Sequence, residues 1–148
     1  MKFLKVRDVK TPERGTPLSA GMDFFVPNDF QATILPPGRD INIPSGIKVK
    51  LMHGFCLKFD NKSGVALKKK LVVGATVVDE DYQGEIHLHV FNLSPTDPVT
   101  INPGDKLVQA LLIPVSYELP EEATTLEELY GGEKTKRGEG GFGSTGER

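Results

Sequence analysis

The sequence predicts an all-β protein, an antiparallel sandwich or jelly roll, and three observations carry this prediction. Short apolar or alternating runs recur along most of the chain, and alternation with a period of two is typical of a half-buried strand. Turn-forming triplets such as Pro36-Pro37-Gly38 and Asn102-Pro103-Gly104 separate these runs. Strands do not alternate with long amphipathic helices, which argues against a parallel α/β sheet. Many short strands at close spacing indicate a jelly roll.

Nine strands are predicted in order along the chain, each bounded by glycine, proline or polar turn residues. The segment Gly104-Asp105-Lys106 is interpreted as a turn that leads into an edge strand. One short helix is also predicted, because Thr124 or Thr125 can cap residues 126–130 and Gly131 can end them. The predicted strands are residues 21–27, 31–35, 40–43, 46–52, 54–60, 71–79, 85–92, 98–101 and 106–115.

Residues 1–130 are predicted to form one β domain, and residues 131–148 a flexible glycine-rich tail. Residues 131–146 contain seven of the sixteen glycines, and such a segment cannot bury enough apolar surface to fold alone. The tail nevertheless carries an arginine, two hydroxyls, open backbone N–H groups and a phenylalanine, which suit phosphate oxygens and a ring. We interpret it as a flap that orders over a phosphorylated ligand; a disordered solubilising tail is the alternative.

Composition narrows the class of protein. The chain has 148 residues, 38% hydrophobic and 26% charged, which is typical of one globular domain. A net charge of −2 gives no sign of bulk nucleic-acid binding. The single cysteine, Cys56, fits a reducing compartment and an inert core thiol. No apolar run approaches the ~20 residues that a membrane span needs. We therefore expect a cytoplasmic protein (of the host cell if it is viral) that binds neither nucleic acid nor membrane.

The densest chemical segment is residues 74–84, where an apolar run leads into an acidic turn that ends in Tyr82 and Gly84. Asp79 directly follows the apolar run, so we expect its carboxylate to be partly shielded. A positioned carboxylate near water is a candidate general base. A solvated acidic hairpin turn is the alternative interpretation. The turn at residues 61–64 is a second candidate, a small nest for an anion.

Two further features have competing structural explanations. Asp23 follows a glycine at the start of a strand, where it could orient a hydrated metal ion or cap a turn. His87 and His89 share one face of a strand. Two histidines without a third ligand do not make a metal site, so cross-strand packing is the favoured interpretation.

The order and spacing of five segments resemble the five motifs of the trimeric dUTPases. The third and fifth segments are highly specific, whereas the other three would mean little in isolation. The resemblance extends over nearly the whole chain and implies a β-clip jelly roll that forms a homotrimer with shared active sites. It also implies hydrolysis of dUTP to dUMP and pyrophosphate with Mg²⁺. The segments are residues 20–24, 62–64, 74–84, 104–109 and 137–146.

The resemblance implies a role for each matching residue. Asp79 matches the general base that activates the attacking water, and Tyr82 matches the ring that packs on the deoxyribose. Asp23 matches the acid that holds the waters of the Mg²⁺ ion. The residues that match substrate contacts are Gly74, Ala75, Thr76, Val77 and Val78 at the uracil edge, Ser63, Gly64 and Gln109 at the phosphates near the scissile bond, and Arg137, Gly143, Ser144 and Thr145 at the γ-phosphate, with Phe142 stacked on uracil. Lys62, at the start of the second motif, is also expected to bind the substrate.

Two residues depart from the usual motifs of that family. Lys62 stands where an arginine usually begins the second motif, so the charge is kept but the planar guanidinium is lost. Thr76 stands where glycine is frequent, which could narrow the base pocket. The alternatives to a dUTPase are a dCTP deaminase-type relative, which would need a glutamate and a polar network at the base, and a non-catalytic nucleotide sensor or protein-interaction module.

Overall fold

The computed structural model describes residues 1–141, and β-strands make up most of their regular structure. The all-β prediction is therefore confirmed. The strands are β1 (Lys2–Lys5), β2 (Met22–Phe25), β3 (Thr33–Leu35), β4 (Asp40–Pro44), β5 (Ile47–Lys50), β6 (Phe55–Asn61), β7 (Leu71–Val73), β8 (Val77–Val78), β9 (His87–Asn92), β10 (Val99–Ile101) and β11 (Lys106–Pro114). The helices are α1 (Ser63–Lys69) and α2 (Leu126–Tyr130).

Every strand pair in the described chain is antiparallel. A four-stranded sheet has the order β2-β11-β6-β8, and a three-stranded sheet has the order β4-β9-β7. Two smaller sheets pair β1 with β5 and β10 with β3. The prediction that the segment after Gly104 feeds an edge strand is wrong, because β11 lies between β2 and β6. Leu107, Val108 and Ala110 are all buried there, as expected of an interior strand.

One hydrophobic core contains buried side chains from nine of the strands. Within it, the rings of Phe24 and Phe59 pack edge to face, with centroids 5.0 Å apart. Burial of each such side chain contributes about 1.5–3 kcal/mol. Cys56 lies buried on β6 with a free thiol, as predicted. The largest members with almost no exposed surface include Ile43, Leu57, Leu71, Leu88 and Ile101.

The predicted strand over residues 71–79 is interrupted, which is the difference that matters most for the site. β7 ends at Val73 and pairs with β9, whereas β8 pairs with β6 in the other large sheet. The change of partner occurs at residues 74–76. The Gly74 N–H still donates to the His89 carbonyl at 2.9 Å, whereas the Thr76 carbonyl already accepts from Phe59 N at 2.6 Å.

Helix α1 was not predicted, because residues 61–64 were interpreted as a turn. It begins at Ser63, directly after the extended residue Lys62, and ends at Lys69, before Lys70, which adopts a left-handed φ of 57°. Helix α2 matches its prediction. The Thr125 hydroxyl accepts from the Glu128 N–H at 3.1 Å, and Gly131 ends the helix with a φ of 58°.

The chain divides into two compact units, Met1–Ser116 and Tyr117–Arg148. The first holds all eleven strands and α1, and the second holds α2. The predicted boundary after residue 130 falls within the second unit, and the assignment of residues 131–148 to a flap stays a prediction. None of the helices among residues 1–141 is long and apolar enough to cross a membrane. Phe142, Gly143, Ser144 and Thr145 lie outside the described residues.

Candidate active site

Residues 74–78, here called the bridging segment, connect the two larger sheets. On one side, Val78 lies opposite Leu57 of β6, and the Thr76 carbonyl accepts from Phe59 N. On the other side, the Gly74 N–H donates to the His89 carbonyl of β9, and the Ala75 N–H donates to the ring nitrogen Nδ1 of the same histidine at 3.0 Å. Backbone hydrogen bonds from both sheets therefore define the position of this segment.

The bridging segment presents unpaired backbone groups at a sheet edge. β8 is the last strand of its sheet, and in an antiparallel pair hydrogen-bonded and non-bonded residue pairs alternate. The bond between Thr76 and Phe59 therefore makes Val77 and Lys58 a non-bonded pair. It follows that the N–H and C=O of Val77 point away from β6. An adjacent donor and acceptor of this kind can pair with the edge of a heterocyclic base.

A cavity of about 290 Å³ lies against the bridging segment and contains five of the predicted site residues. Its size and mixed polar and apolar walls suit a small ring-bearing ligand. The predicted residues that line it are Ala75, Val77, Val78, Asp79 and Tyr82. Sequence analysis missed the other four, Asn42, Phe59, Ile86 and His87. Only the alternation of His87 with His89 marked this face of β9 in the sequence.

The three acids of the turn after β8 have different roles. Asp79 lines the cavity and is exposed, and its carboxylate has no hydrogen-bond or ion-pair partner within residues 1–141. The expectation that it would be partly shielded is wrong, because the chain leaves β8 at Val78 and carries Asp79 into the open turn. Glu80 instead anchors the turn, since its carboxylate accepts from Gly54 N at 2.8 Å and contacts His53 Nδ1 at 3.1 Å. Asp81 is exposed and does not line the cavity.

The ring of Tyr82 is fixed beside Asp79 by contacts at both ends of the residue. Its backbone N–H donates to the Asp79 carbonyl at 3.3 Å, and its hydroxyl donates to the Glu85 carbonyl at 2.9 Å. A Cβ at Gly84 would lie 2.2 Å from the Tyr82 hydroxyl oxygen. Glycine at 84 is therefore required for the ring to fold back over the turn, where it forms part of the cavity wall.

A second group of predicted residues gathers around a buried carboxylate. Asp23 on β2 is only 7% exposed at its side chain. Its Oδ1 contacts Lys62 Nζ, and its Oδ2 lies 3.2 Å from Lys106 Nζ. Burial opposes ionisation of this carboxyl, but the hydrogen bonds from the two lysines outweigh it and hold the pKa of Asp23 below its usual value. We call these three residues the Asp23 cluster.

Gln109 lies beside the Asp23 cluster, opposite Asp23 in the pairing of β11 with β2. Its side-chain amide donates to the Asn61 carbonyl at 2.7 Å. A Cβ at Gly21 would lie 2.4 Å from Gln109 Oε1, so the glycine of the first motif makes room for the glutamine of the fourth. The first, second and fourth motifs thus meet on one sheet.

The remaining predicted residues do not line the cavity. Ser63 and Gly64 are exposed at the start of α1. Neither they nor Lys62, Gly74, Thr76 or Gln109 line the cavity. In the second unit, the Arg137 guanidinium donates to the Gly140 carbonyl at 2.9 Å. Within one chain, the candidate residues of the first unit therefore form two groups, those of the cavity and the bridging segment and those around the Asp23 cluster.

Solved structures identify the class of fold. The dUTPase of Staphylococcus bacteriophage 80alpha, solved with dUPNHPP, matches with a TM-score of 0.83 and 20% identity over 98% of this chain and 97% of that one. A mutant dUTPase from phage phi11 of S. aureus, solved to show the coordination of a structural Mg(II) ion, matches with a TM-score of 0.75 and 21% identity over 85% and 97%. These likenesses confirm the predicted β-clip jelly roll.

Sequence comparison identifies the family. Residues 7–146 match the dUTPase family. The deoxyuridine 5'-triphosphate nucleotidohydrolase of Maricaulis maris is 41% identical over 139 residues, which cover 91% of this chain and 86% of the relative. That of Corynebacterium jeikeium is 37% identical over 142 residues, 95% of this chain and 88% of the relative. The chain belongs to the dUTPase family, as the five motifs predicted.

We predict that the Asp23 cluster makes stability depend on pH in the acid range. Because the folded-state pKa of Asp23 lies below its unfolded value, the cluster stabilises the fold above the unfolded pKa and loses this contribution as pH falls through the folded one. Asp23→Asn should lower the free energy of unfolding by about 2 kcal/mol at pH 7. The difference from wild type should shrink as pH falls from the unfolded-state pKa of Asp23 through its lower folded-state pKa.

Urea denaturation at a series of pH values measures this effect, with Asp29→Asn as the control. Asp29 also meets a cation, Arg7 at 3.4 Å, but is 53% exposed, so its loss should cost below about 1 kcal/mol. An Asp23→Asn difference that is as small as that of the control, or that does not vary with pH, would contradict the prediction.

Proposed function

We propose that the chain is a dUTP diphosphatase that uses Asp79 to activate the water that cleaves the triphosphate. Its family and its fold support dUTP hydrolysis. The observation that carries the mechanism is the free carboxylate of Asp79 at a cavity whose wall is the bridging segment. The product dUMP would supply thymidylate precursors, and removal of dUTP would limit uracil in DNA.

Base selection in this proposal uses the outward backbone groups of Val77. Uracil presents an N3–H donor beside carbonyl acceptors, which complements a backbone C=O and N–H. Cytosine presents an acceptor at N3 and an amino group, so its donors and acceptors would meet like groups and remain unpaired. Thr76 does not line the cavity, so its side chain does not narrow the cavity by direct contact. A narrow segment would also leave no room for the 5-methyl group of thymine.

The chemical step is a nucleophilic displacement at the α-phosphorus. Asp79 accepts a proton from the attacking water as the oxygen forms a bond to phosphorus. The bond from the α-phosphorus to the bridging oxygen breaks, and pyrophosphate leaves with that electron pair. Tyr82, fixed beside Asp79, packs against the deoxyribose and leaves no space for a 2′-hydroxyl. By fixing the sugar close to the attacking water, this part of the site holds the reacting groups in position.

The phosphates would be bound by the second group of residues, Lys62, Ser63, Gly64 and Gln109. Lys62 contacts the Asp23 carboxylate, so an incoming phosphate would compete with Asp23 for the ammonium group. None of the four lines the cavity of its own chain. This separation supports a homotrimer in which one subunit provides the nucleoside cavity and a neighbour provides phosphate contacts.

The donor set fits a Mg²⁺ ion that arrives with the triphosphate. No group of three metal-ligating side chains exists within residues 1–141, and Mg²⁺ typically takes one or two carboxylates together with substrate phosphates and waters. Asp23 is the carboxylate proposed to accept hydrogen bonds from the waters of the ion, and both of its oxygens contact lysines in this structure. When bound, the ion would neutralise charge on the triphosphate and set its shape.

The tail would complete the site. Arg137, Gly143, Ser144 and Thr145 are proposed to bind the γ-phosphate, and Phe142 to stack on uracil. Closure of such a segment excludes bulk water and brings the last donors to the substrate. The tail is proposed to close the active site of a neighbouring subunit. The proposed location of the enzyme is the cytoplasm.

Asp79→Asn should reduce kcat for dUTP by about 10³-fold, because an amide cannot accept the proton of the attacking water. The dissociation constant for dUTP should change less than about threefold, since asparagine keeps the size of the side chain. Pyrophosphate release and calorimetric binding measure the two quantities. Asp81→Asn is the matched control and should retain near wild-type turnover. Turnover by Asp79→Asn at the wild-type rate would show that Asp79 is not the base.

Deletion of residues 137–148 should leave the fold intact and lower kcat/KM for dUTP by at least about 100-fold, since several phosphate contacts and the closing ring are lost together. Thermal unfolding should be unchanged, because the first unit is compact without the tail. Arg137→Ala should show part of the loss, and Lys136→Ala, its neighbour, should not. Full activity of the truncated protein would remove the tail from the mechanism.

A further inference from the structure

Both ring nitrogens of His89 on β9 form hydrogen bonds, and neither hydrogen bond has a role in the mechanism above. Its Nε2 lies 2.9 Å from Asp40 Oδ2 on β4, and its Nδ1 lies 3.0 Å from the Ala75 backbone nitrogen. The imidazole is 22% exposed and Asp40 53% exposed. A chain of two hydrogen bonds therefore runs from β4 through the ring to the bridging segment.

The chemistry of the partners determines the tautomer of His89. A backbone N–H can only donate, so Nδ1 must be the unprotonated nitrogen. The ring proton is then on Nε2, where it is donated to the Asp40 carboxylate. The hydrogen bond from His89 is the main reason that the pKa of Asp40 lies below its usual value. Asp40 thus favours the tautomer whose free lone pair faces Ala75.

Packing around the ring is equally specific. A Cβ at Gly74 would lie 2.3 Å from His89 Nδ1 and 2.6 Å from Phe91 Cε2. The rings of His89 and Phe91 are 4.8 Å apart with an interplanar angle of 58°. Only glycine at position 74 lets the imidazole approach the backbone closely enough to accept from Ala75. Gly74 therefore acts in the site through this close approach, since it does not itself line the cavity.

We propose that His89, with its tautomer set by Asp40, is a positioning residue that holds the bridging segment in the conformation that recognises the base. This inference rests on the proposed function, in which that segment contacts uracil. His89 does not line the cavity, but Ala75 does, so the effect passes through the Ala75 N–H. That N–H is consequently committed to His89 and is not one of the groups that contact the substrate.

Loss of the Nδ1 acceptor would weaken the attachment of the bridging segment to β9. β6 would still hold Thr76 and Val78, but Ala75 would lose its side-chain bond to β9. The substrate would then have to order the segment on binding, which weakens binding without changing the chemical step. The expected signature is a raised KM for dUTP, a nearly constant kcat and a poorer preference for dUTP over dCTP.

The variants His89→Phe and His89→Asn separate the acceptor from the ring. Phenylalanine keeps a ring at the position but has no acceptor, whereas the asparagine Oδ1 can occupy the place of Nδ1. His89→Phe should raise KM for dUTP about tenfold, the value of one lost hydrogen bond, with kcat within about twofold of wild type. His89→Asn should restore KM to within about threefold. Equal, raised KM values for both variants would show a packing role only and overturn the proposal.

Two readouts on the nucleotide-free protein test the interaction independently of activity. The ¹⁵N chemical shifts of the His89 ring should show an unprotonated Nδ1 and a protonated Nε2. Hydrogen exchange of the Ala75 amide should accelerate at least about tenfold in His89→Phe and stay near wild type in His89→Asn. A protonated Nδ1, or unchanged exchange in His89→Phe, would overturn the proposal. If wild type did not hydrolyse dUTP while both readouts agreed, the proposed function would fail and the positioning by His89 would stand.

Discussion

The attachment of residues 74–78 to two different sheets is the constraint on which the candidate site depends. β6 holds this segment through Thr76 and Val78, and β9 holds it through Gly74 and Ala75. Because β8 is the edge strand of its sheet, Val77 lies against β6 while its own N–H and C=O stay open to a ligand. The carboxylate of Asp79 follows directly, so the position of the proposed base is set by the same hydrogen bonds that shape the cavity wall.

The strands were largely predictable, because the alternation of apolar and polar residues is a local property of the sequence. A change of pairing partner along a strand could not be predicted in this way. Valine pairs on both sides of residues 74–76 resemble one continuous strand, and the switch from β9 to β6 depends on residues far apart in sequence. β1 was missed because all four of its residues are exposed and carry no burial pattern. α1 was missed because it buries no side chain and contains a glycine near its start.

Within the site, residues with distinctive chemistry in a motif could be predicted, whereas those defined by register could not. Asp79 and Tyr82 stand out in an acidic turn, and both line the cavity. Asp79 and Glu80 differ because the Gly54 N–H, which is distant in sequence, donates a hydrogen bond to the Glu80 carboxylate and fixes it. Asn42 reaches the cavity beside His87, with their side chains 2.9 Å apart, only because β4 pairs with β9. The pairing of these two strands cannot be predicted from the local sequence.

Pyrophosphate release from dUTP, dCTP and dTTP, measured with the full chain and Mg²⁺, tests most directly whether the bridging segment and Asp79 form a uracil-selective hydrolytic site. The account predicts turnover of dUTP, with kcat/KM for dCTP and dTTP lower by at least about 100-fold. Equal turnover of dUTP and dTTP would contradict base selection by this segment. Ammonia release from dCTP would indicate a deaminase, and dUTP binding without pyrophosphate release would indicate a sensor.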